Sequence, residues 1–305
     1  MKKQTVIIIL GPTAVGKTAG AIRLALNLQT KIISADSRQC FKELNIGVAK
    51  PSGEELKAVP HYFINSHSIG EAVNAALFEE LALGWTQEIF QWQTGKEENP
   101  AVVMVGGTGL YIKAFCEGLD EIPAIDPAIR KQILAQYNLD GISCLQEQIR
   151  EHDPAFYAAG EILNPQRLMR ALEVKLSTGR SILDFRTRQK RERPFEIRKI
   201  GLQLPKEALH QRINHRVDLM MEEGLLDEVK GLTNVKDLNA LQTVGYSELF
   251  AHLDGNCSLE EAVESIKKHT RHYAKRQMTW FRKDPSVQWV DANAFQEAPM
   301  RYIME

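Results

Sequence analysis

Residues Gly11 to Thr18 read GPTAVGKT, with two glycines, a lysine and a threonine at G-x-x-x-x-G-K-T spacing. That spacing lets successive backbone N–H groups turn toward phosphate oxygens, while the lysine adds a full positive charge. In this pattern Gly11, Pro12, Thr13, Ala14, Val15 and Gly16 form the cradle, Lys17 supplies the ammonium and Thr18 offers a hydroxyl to Mg²⁺. A helix starting at Lys17 adds the partial positive charge of its N-terminus. The motif specifies a di- or triphosphate. It leaves the reaction open, because a bound diphosphate can be a donor's tail, a cleaved anhydride or a leaving group. The plain alternative is a tight glycine turn into a helix.

Two further groups can share a crevice with this loop. ADSRQ presents Asp36, Ser37 and Gln39. A carboxylate there could hold Mg²⁺ through water or act as a general base, and a glutamine could bond an adenine edge in bidentate fashion. Helix capping by Asp36 or Ser37 is the competing reading. The stretch VVMVGGTGLY ends in Gly106 and Gly107, where many ATPases would carry a magnesium-holding acid. Glycines permit close backbone approach to a second ligand, and Thr108 adds a hydroxyl. They can equally just turn a strand into a helix.

The elements that must position these groups are legible. Thr5 to Leu10, Lys31 to Ala35, Ala101 to Val105 and Val287 to Val290 predict strands as short apolar or β-branched runs, and Glu196 to Leu204 (EIRKIGLQL) resumes strand character after the helical stretch. Lys17 to Leu28 and Glu71 to Gln93 have helical periodicity. Strand ends that line one crevice are the expectation for an α/β fold. Near Gly118 the texture changes, and Asp126-Pro127, Asp153-Pro154 and Asn164-Pro165 each predict an N-cap followed by proline in the first helical position. The predicted organisation is a discontinuous core, 1–117 and 196–305, with a helical insertion at 118–195. Arg212 and Arg216, four apart, share one face of a helix whose apolar stripe is Leu209, Ile213 and Val217.

The whole chain sets outer bounds. With 305 residues, 44% hydrophobic and 25% charged, it has an ordinary globular composition. No apolar run is long enough to cross a bilayer, so no membrane association is expected. Cys40, Cys116, Cys144 and Cys257 are scattered without ligand-like spacing, which argues against zinc and suits a reducing cytoplasm. A formal charge of −1 conceals two basic runs: 266–283 carries seven Lys/Arg and no acid, and 186–193 carries five against one glutamate. Such runs are commonly solvated faces, yet two together raise the expectation of nucleic acid.

The segments GPTAVGKT, DSRQCF, IGVAKP, GGTGLY, NPQRLMRALEV and YAKRQMTWFR, in this order, resemble the tRNA dimethylallyltransferase (isopentenyl-tRNA transferase) family across nearly the whole chain. The resemblance implies a P-loop NTPase-like parallel sheet flanked by helices. It also implies transfer of a dimethylallyl group from dimethylallyl diphosphate to N6 of adenosine-37, just 3′ of the tRNA anticodon. The loop would then hold a leaving group. In that reading Asp36 takes the amine proton, and Lys17, Mg²⁺ near Thr18 and Arg216 stabilise the departing diphosphate. The resemblance further implies tRNA contacts by Asp36, Ser37, Arg38, Gln39 and Thr108, the last also in the catalytic group. In the insertion it implies contacts by Arg130, Gln166, Arg167, Leu168, Met169 and Arg170, with Leu168, Leu172 and Leu176 on the packing side. The target base must leave its stack to reach such a crevice. Protein partners and oligomeric state stay open, a monomer included.

Two rivals use the same loop. A small-molecule kinase would bind ATP there and employ Asp36 toward an acceptor hydroxyl. A nucleic-acid-stimulated ATPase would hydrolyse ATP there, but lacks an acid after the 102–105 strand.

Overall fold

The computed structural model describes residues 4–95, 99–187 and 189–303. Lys2 and Lys3, ahead of the first strand, and Arg188, in the second basic run, lie outside the described residues. The chain divides into two compact units, Met1–Cys116 with Glu192–Glu305, and Glu117–Arg191.

In the first unit β1 (Thr5–Leu10), α1 (Lys17–Asn27), β2 (Ile32–Ala35), α2 (Gly53–Ala58), β3 (His61–Tyr62), α3 (Ala75–Gln93), β4 (Ala101–Gly106) and α4 (Gly109–Glu117) follow in order. The second unit holds α5 (Pro127–Asp140), α6 (Ile142–His152), α7 (Pro154–Ala159) and α8 (Pro165–Thr178). The first unit then resumes with β5 (Glu196–Gln203), α9 (Lys206–Glu222), α10 (Leu225–Lys230), α11 (Tyr246–Leu253), α12 (Leu259–Phe281), β6 (Val287–Asp291) and α13 (Ala292–Glu297).

The six strands form one parallel sheet in the order β3-β2-β4-β1-β5-β6. Parallel sheets are covered on both faces, which is why β1 and β4 are continuous apolar runs without alternation. Ile7, Ile9, Val103, Val105, Ile200 and Leu202 share one face with Leu24 and Ala25 of α1, Ile213 of α9 and Phe295 of α13. The intervening Val6, Ile8, Val102 and Met104 are fully buried as well. Because the strands are parallel, their C-terminal ends meet at one edge. The last ladder pairs are Leu10 with Gly106 and Ala35 with Gly106. Residues just beyond these pairs, Gly11, Asp36 and Gly107, therefore start from the same place.

The helical unit is built on its caps. Asp126, Asp153 and Asn164 each accept a backbone N–H of the first turn, from Ala128, Phe156 and Arg167, and each is followed by proline. Such caps are worth about 1 kcal/mol each. Leu168, Met169, Ala171, Leu172 and Val174 of α8 close on Ile133, Leu145, Ile149 and Phe156. Leu176, placed on the packing side by its spacing, is 42% exposed, and Ala171 and Val174 fill the stripe instead.

Candidate active site

The phosphate loop leaves β1 with Gly11 at φ 145° and enters α1 through Gly16 at φ 98°, conformations that side chains resist. A Cβ on Gly11 would also lie 2.6 Å from the Leu202 carbonyl oxygen. The loop is fastened from outside: Arg212 Nη1 donates to the Val15 carbonyl at 3.4 Å and Gln296 Nε2 to that of Gly16 at 3.0 Å. Lys17 folds back to donate to the Pro12 carbonyl at 2.7 Å. Burial pulls the Lys17 ammonium down to about 7, with Asp36 opposing and Arg216 adding to the fall.

Arg216 reaches the loop from α9, whose Leu209, Ile213, Val217 and Met220 face the core. Its Nη2 donates to the Thr13 hydroxyl at 2.6 Å. Its Nε is buried without a hydrogen-bond partner among the described residues. Burial lowers the Arg216 pKa, and Asp36 partly restores it. Two desolvated cations beside one carboxylate form an excess of positive charge that an anion would relieve.

The β2 end is tied to the β4 end. Asp36 Oδ1 accepts from the N–H groups of Arg38 and Gln39 at 2.9 and 3.3 Å, so the carboxylate does cap a turn with one oxygen. Thr108 Oγ1 accepts from the Ser37 N–H at 3.1 Å, and the Thr108 N–H donates to the Ala35 carbonyl at 3.2 Å. Gln39 has its whole amide engaged: Oε1 accepts from Ser34 Oγ at 3.2 Å, and Nε2 donates to Val48 and Ala49 carbonyls at 3.3 and 2.9 Å. The glycine pair serves close protein neighbours. A Cβ on Gly106 would stand 2.1 Å from the Ala35 oxygen, and one on Gly107 2.2 Å from Gln277 Nε2.

Two cavities open along this edge. One, about 320 Å³, runs from Lys17 and Thr18 past Asp36 to an apolar wall of Val48, Pro51, Ile64 and Val105. The other, about 460 Å³, is lined by Ser37, Arg38, Thr243, Gly245, Tyr273 and Arg276. Thr13, Asp36 and Arg216 line both. Burial, with the Asp36 charge next, pushes the Tyr273 hydroxyl up to about 12, so it stays protonated beside that carboxylate.

A parallel α/β edge carrying a complete phosphate loop, with an acid and two arginines converging on it, agrees with what the sequence comparison finds. The sequence model of the family described as IPP transferase matches residues 39–284. The chain belongs to the IPP transferase family. Among curated members of this family it is 45% identical over 285 residues to tRNA dimethylallyltransferase 1 of Bacteroides thetaiotaomicron, covering 93% of this chain and 91% of that one. It is 47% identical over 283 residues to tRNA dimethylallyltransferase of Christiangramia forsetii, covering 93% and 92%. The crystal structure of the full-length tRNA isopentenylpyrophosphate transferase of Bacillus halodurans superposes with a TM-score of 0.71 at 36% identity, covering 99% of this chain and 96% of that one. For an IPP transferase, the α/β fold with a six-stranded parallel sheet flanked by helices is the shared architecture.

Thus the structure brings Gly11 to Thr18, Asp36 to Gln39, Thr108 and Arg216 of this IPP transferase to one edge. Arg130, Gln166, Arg167 and Arg170 belong to the second unit. There Arg167 pairs with Glu161, and Arg130 and Arg170 share the buried Glu173 at 3.7 and 3.2 Å. Leu168 and Met169 pack inside that unit, 0% and 6% exposed. Sequence reasoning missed three contributors. Glu228 of α10 gathers the N–H groups of Asn45, Ile46 and Gly47 at 2.8–3.1 Å and the Tyr246 hydroxyl at 2.6 Å, fixing the segment that bears Val48. The Thr243–Gly245 turn lines the second cavity. Gln277 touches the phosphate loop itself. Only Gly245, before a helix, left a visible signal.

Proposed function

We infer that this chain transfers a dimethylallyl group from dimethylallyl diphosphate to N6 of the adenosine just 3′ of the tRNA anticodon, releasing diphosphate. The observation that carries the reading is that Thr13, Asp36 and Arg216 line both cavities, so a diphosphate-bound donor and a flipped base could meet across them. The diphosphate would occupy the loop, with Lys17 and Arg216 receiving the charge that develops as the carbon–oxygen bond breaks. The five-carbon chain would lie against Val48, Pro51, Ile64 and Val105.

The N6 lone pair forms the new bond to the allylic carbon, and the carbon–oxygen pair leaves on the diphosphate. Asp36 takes the amine proton, since Oδ1 is held by two N–H groups and Oδ2 accepts none among the described residues. Ser37, Arg38 and Thr108 border the base side. The Thr18 hydroxyl, a hard oxygen ligand on the cavity that would hold the diphosphate, suits Mg²⁺, and the diphosphate would add oxygens of its own. When bound, Mg²⁺ would neutralise part of the leaving group's charge. In the second unit the exposed Gln166, Arg167 and Arg130, with half-buried Arg170, would contact the tRNA backbone. Gln39 would reach the base only by giving up its carbonyl partners. Among the described residues no helix is long and apolar enough to cross a membrane; the reading places the protein with tRNA in the cytoplasm. Mass spectrometry of nucleosides from unmodified tRNA incubated with the chain and dimethylallyl diphosphate tests it. N6-isopentenyladenosine is expected beside the anticodon; its absence overturns the reading.

A further inference from the structure

We propose that Gln277 is a positioning residue for the transfer reaction, its single amide setting the span between the phosphate loop and the Thr108 turn; this rests on the function inferred above. Gln277 lies on the buried face of α12 with Ile266, Thr270, Ala274 and Phe281, and is 6% exposed. An amide that deep is stable only with its polar atoms paired. Oε1 accepts from the Thr13 N–H at 2.8 Å and Nε2 donates to the Gly107 carbonyl at 2.9 Å. The amide has one workable orientation, because the first partner can only donate and the second only accept.

Its place in the sheet gives the bridge its effect. β1 and β4 are held in register as far as Leu10 and Gly106. Beyond that pair the two chains leave the sheet as loops, and Gln277 spans them where no ladder bond continues. The absent Cβ of Gly107 admits it: a methyl there would stand 2.2 Å from Nε2.

Both ends of the bridge lead directly to reacting groups. Thr13 is held twice, its N–H by Gln277 and its hydroxyl by Arg216 at 2.6 Å, so in this arrangement its N–H points to protein and the later loop amides remain for phosphate. Gly107 precedes Thr108, whose hydroxyl accepts from the Ser37 N–H beside Asp36. A continuous series of bonds thus joins the cation on the diphosphate side to the carboxylate on the base side. In a displacement at carbon, attacking nitrogen, carbon and departing oxygen must be held in line, and a misplacement near 1 Å costs about 10²-fold in rate.

The test compares Gln277→Met, nearly isosteric but unable to form either bond, with Gln277→Glu and the wild-type chain. For Gln277→Met we expect a single-turnover rate lowered roughly 10- to 100-fold, with tRNA affinity within about twofold of wild type. Gln277→Glu keeps the acceptor for Thr13 but regains a donor toward Gly107 only when protonated. A carboxyl buried there has a raised pKa, so its rate relative to wild type should climb as pH falls, a response that a merely structural role would not produce. If Gln277→Met does not fold, Gln277→Asn, which shortens the amide, takes its place with the same expectation. An unchanged single-turnover rate, a loss confined to tRNA affinity, or a flat relative pH profile for Gln277→Glu would each overturn the proposal. A wild-type chain that prenylates no tRNA would instead overturn the functional reading, and the proposal with it.

Discussion

The sheet edge and the helical unit treat the cations of the candidate site in opposite ways. At the sheet edge Lys17 and Arg216 are drawn from water with too few anions: the lysine borrows a backbone carbonyl, and the Arg216 Nε has no partner among the described residues. In the helical unit Arg130, Arg167 and Arg170 are at least partly exposed and each meets a carboxylate, Glu173 or Glu161. Charges held out of water interact strongly and are costly while unpaired, whereas exposed ones are screened and change partners cheaply. The first arrangement suits one small, highly charged ligand in a fixed pose. The second suits an extended polyanion whose contacts are many and individually weak.

If the contrast is right, substitutions at the edge should act on the chemical step, and most strongly where a group changes charge in the transition state. Asp36→Ala should give the largest effect, a turnover reduced roughly 10²- to 10⁴-fold with tRNA affinity nearly unchanged. Single-turnover kinetics beside filter binding separates the two, and equal weakening of binding with unaltered turnover would remove Asp36 from the chemistry. Arg216→Met should follow, at roughly 10²- to 10³-fold in rate. Its loss should persist at saturating dimethylallyl diphosphate; full recovery at high donor concentration would make Arg216 a ground-state binder only.

The same contrast explains what the sequence made legible. β1, β2 and β4 announce themselves as apolar runs because both faces of a parallel sheet are buried there, and β5 and β6 by strand-forming residues around a few buried positions such as Ile200, Leu202, Val287 and Val290, whereas β3 is only the pair His61–Tyr62, directly after Pro60, with no pattern to show. Three helices of the second unit begin at side-chain caps written in the sequence, but α6 begins at Gly141 with no capping side chain. The loop, Asp36 and Arg216 could be read because their chemistry resides in side-chain type and local spacing. Gln277 could not, since its partners are backbone groups 264 and 170 residues away and it stands within a run read for its lysines and arginines. Gln39 shows the reverse: a residue type suited to reading a base, with its amide occupied by carbonyls that sequence cannot display.

A pH experiment sharpens the electrostatic half of the comparison. In the free chain Lys17 lies near 7, mainly through burial. A diphosphate in the loop would raise that value, so below pH 7 binding finds the ammonium already charged, and above it binding must restore a proton. Affinity for inorganic pyrophosphate, taken relative to Lys17→Met to cancel the ligand's own ionisation, should fall by up to about tenfold per pH unit from pH 7 to 9. Calorimetry in buffers of different ionisation enthalpy should register proton uptake. By the same linkage the folded chain binds fewer protons at this site than the unfolded chain between about 7 and the ordinary lysine value. Lys17 therefore contributes stability that grows with pH across that window. A constant affinity ratio from pH 7 to 9 would mean that Lys17 does not sense the anion.

The smallest effect is expected in the helical unit, where it is also the most diagnostic. Arg170 is 41% exposed along its side chain and shares Glu173 with Arg130. Glu173 is buried, so Arg170→Ala removes one of its two guanidinium partners and should lower the melting temperature modestly, Arg130 remaining beside the carboxylate. If Arg170 meets an RNA phosphate, its removal should lower tRNA affinity only severalfold. It should also reduce the slope of log affinity against log salt by about 0.7 to 0.9, the counterion release of one contact. Glu173→Gln should act in the opposite direction, freeing two guanidinium groups from a competing carboxylate and tightening binding at low salt. A slope that both variants leave unaltered would assign these arginines to holding α5 and α8 together, and the polyanion would have to be bound elsewhere.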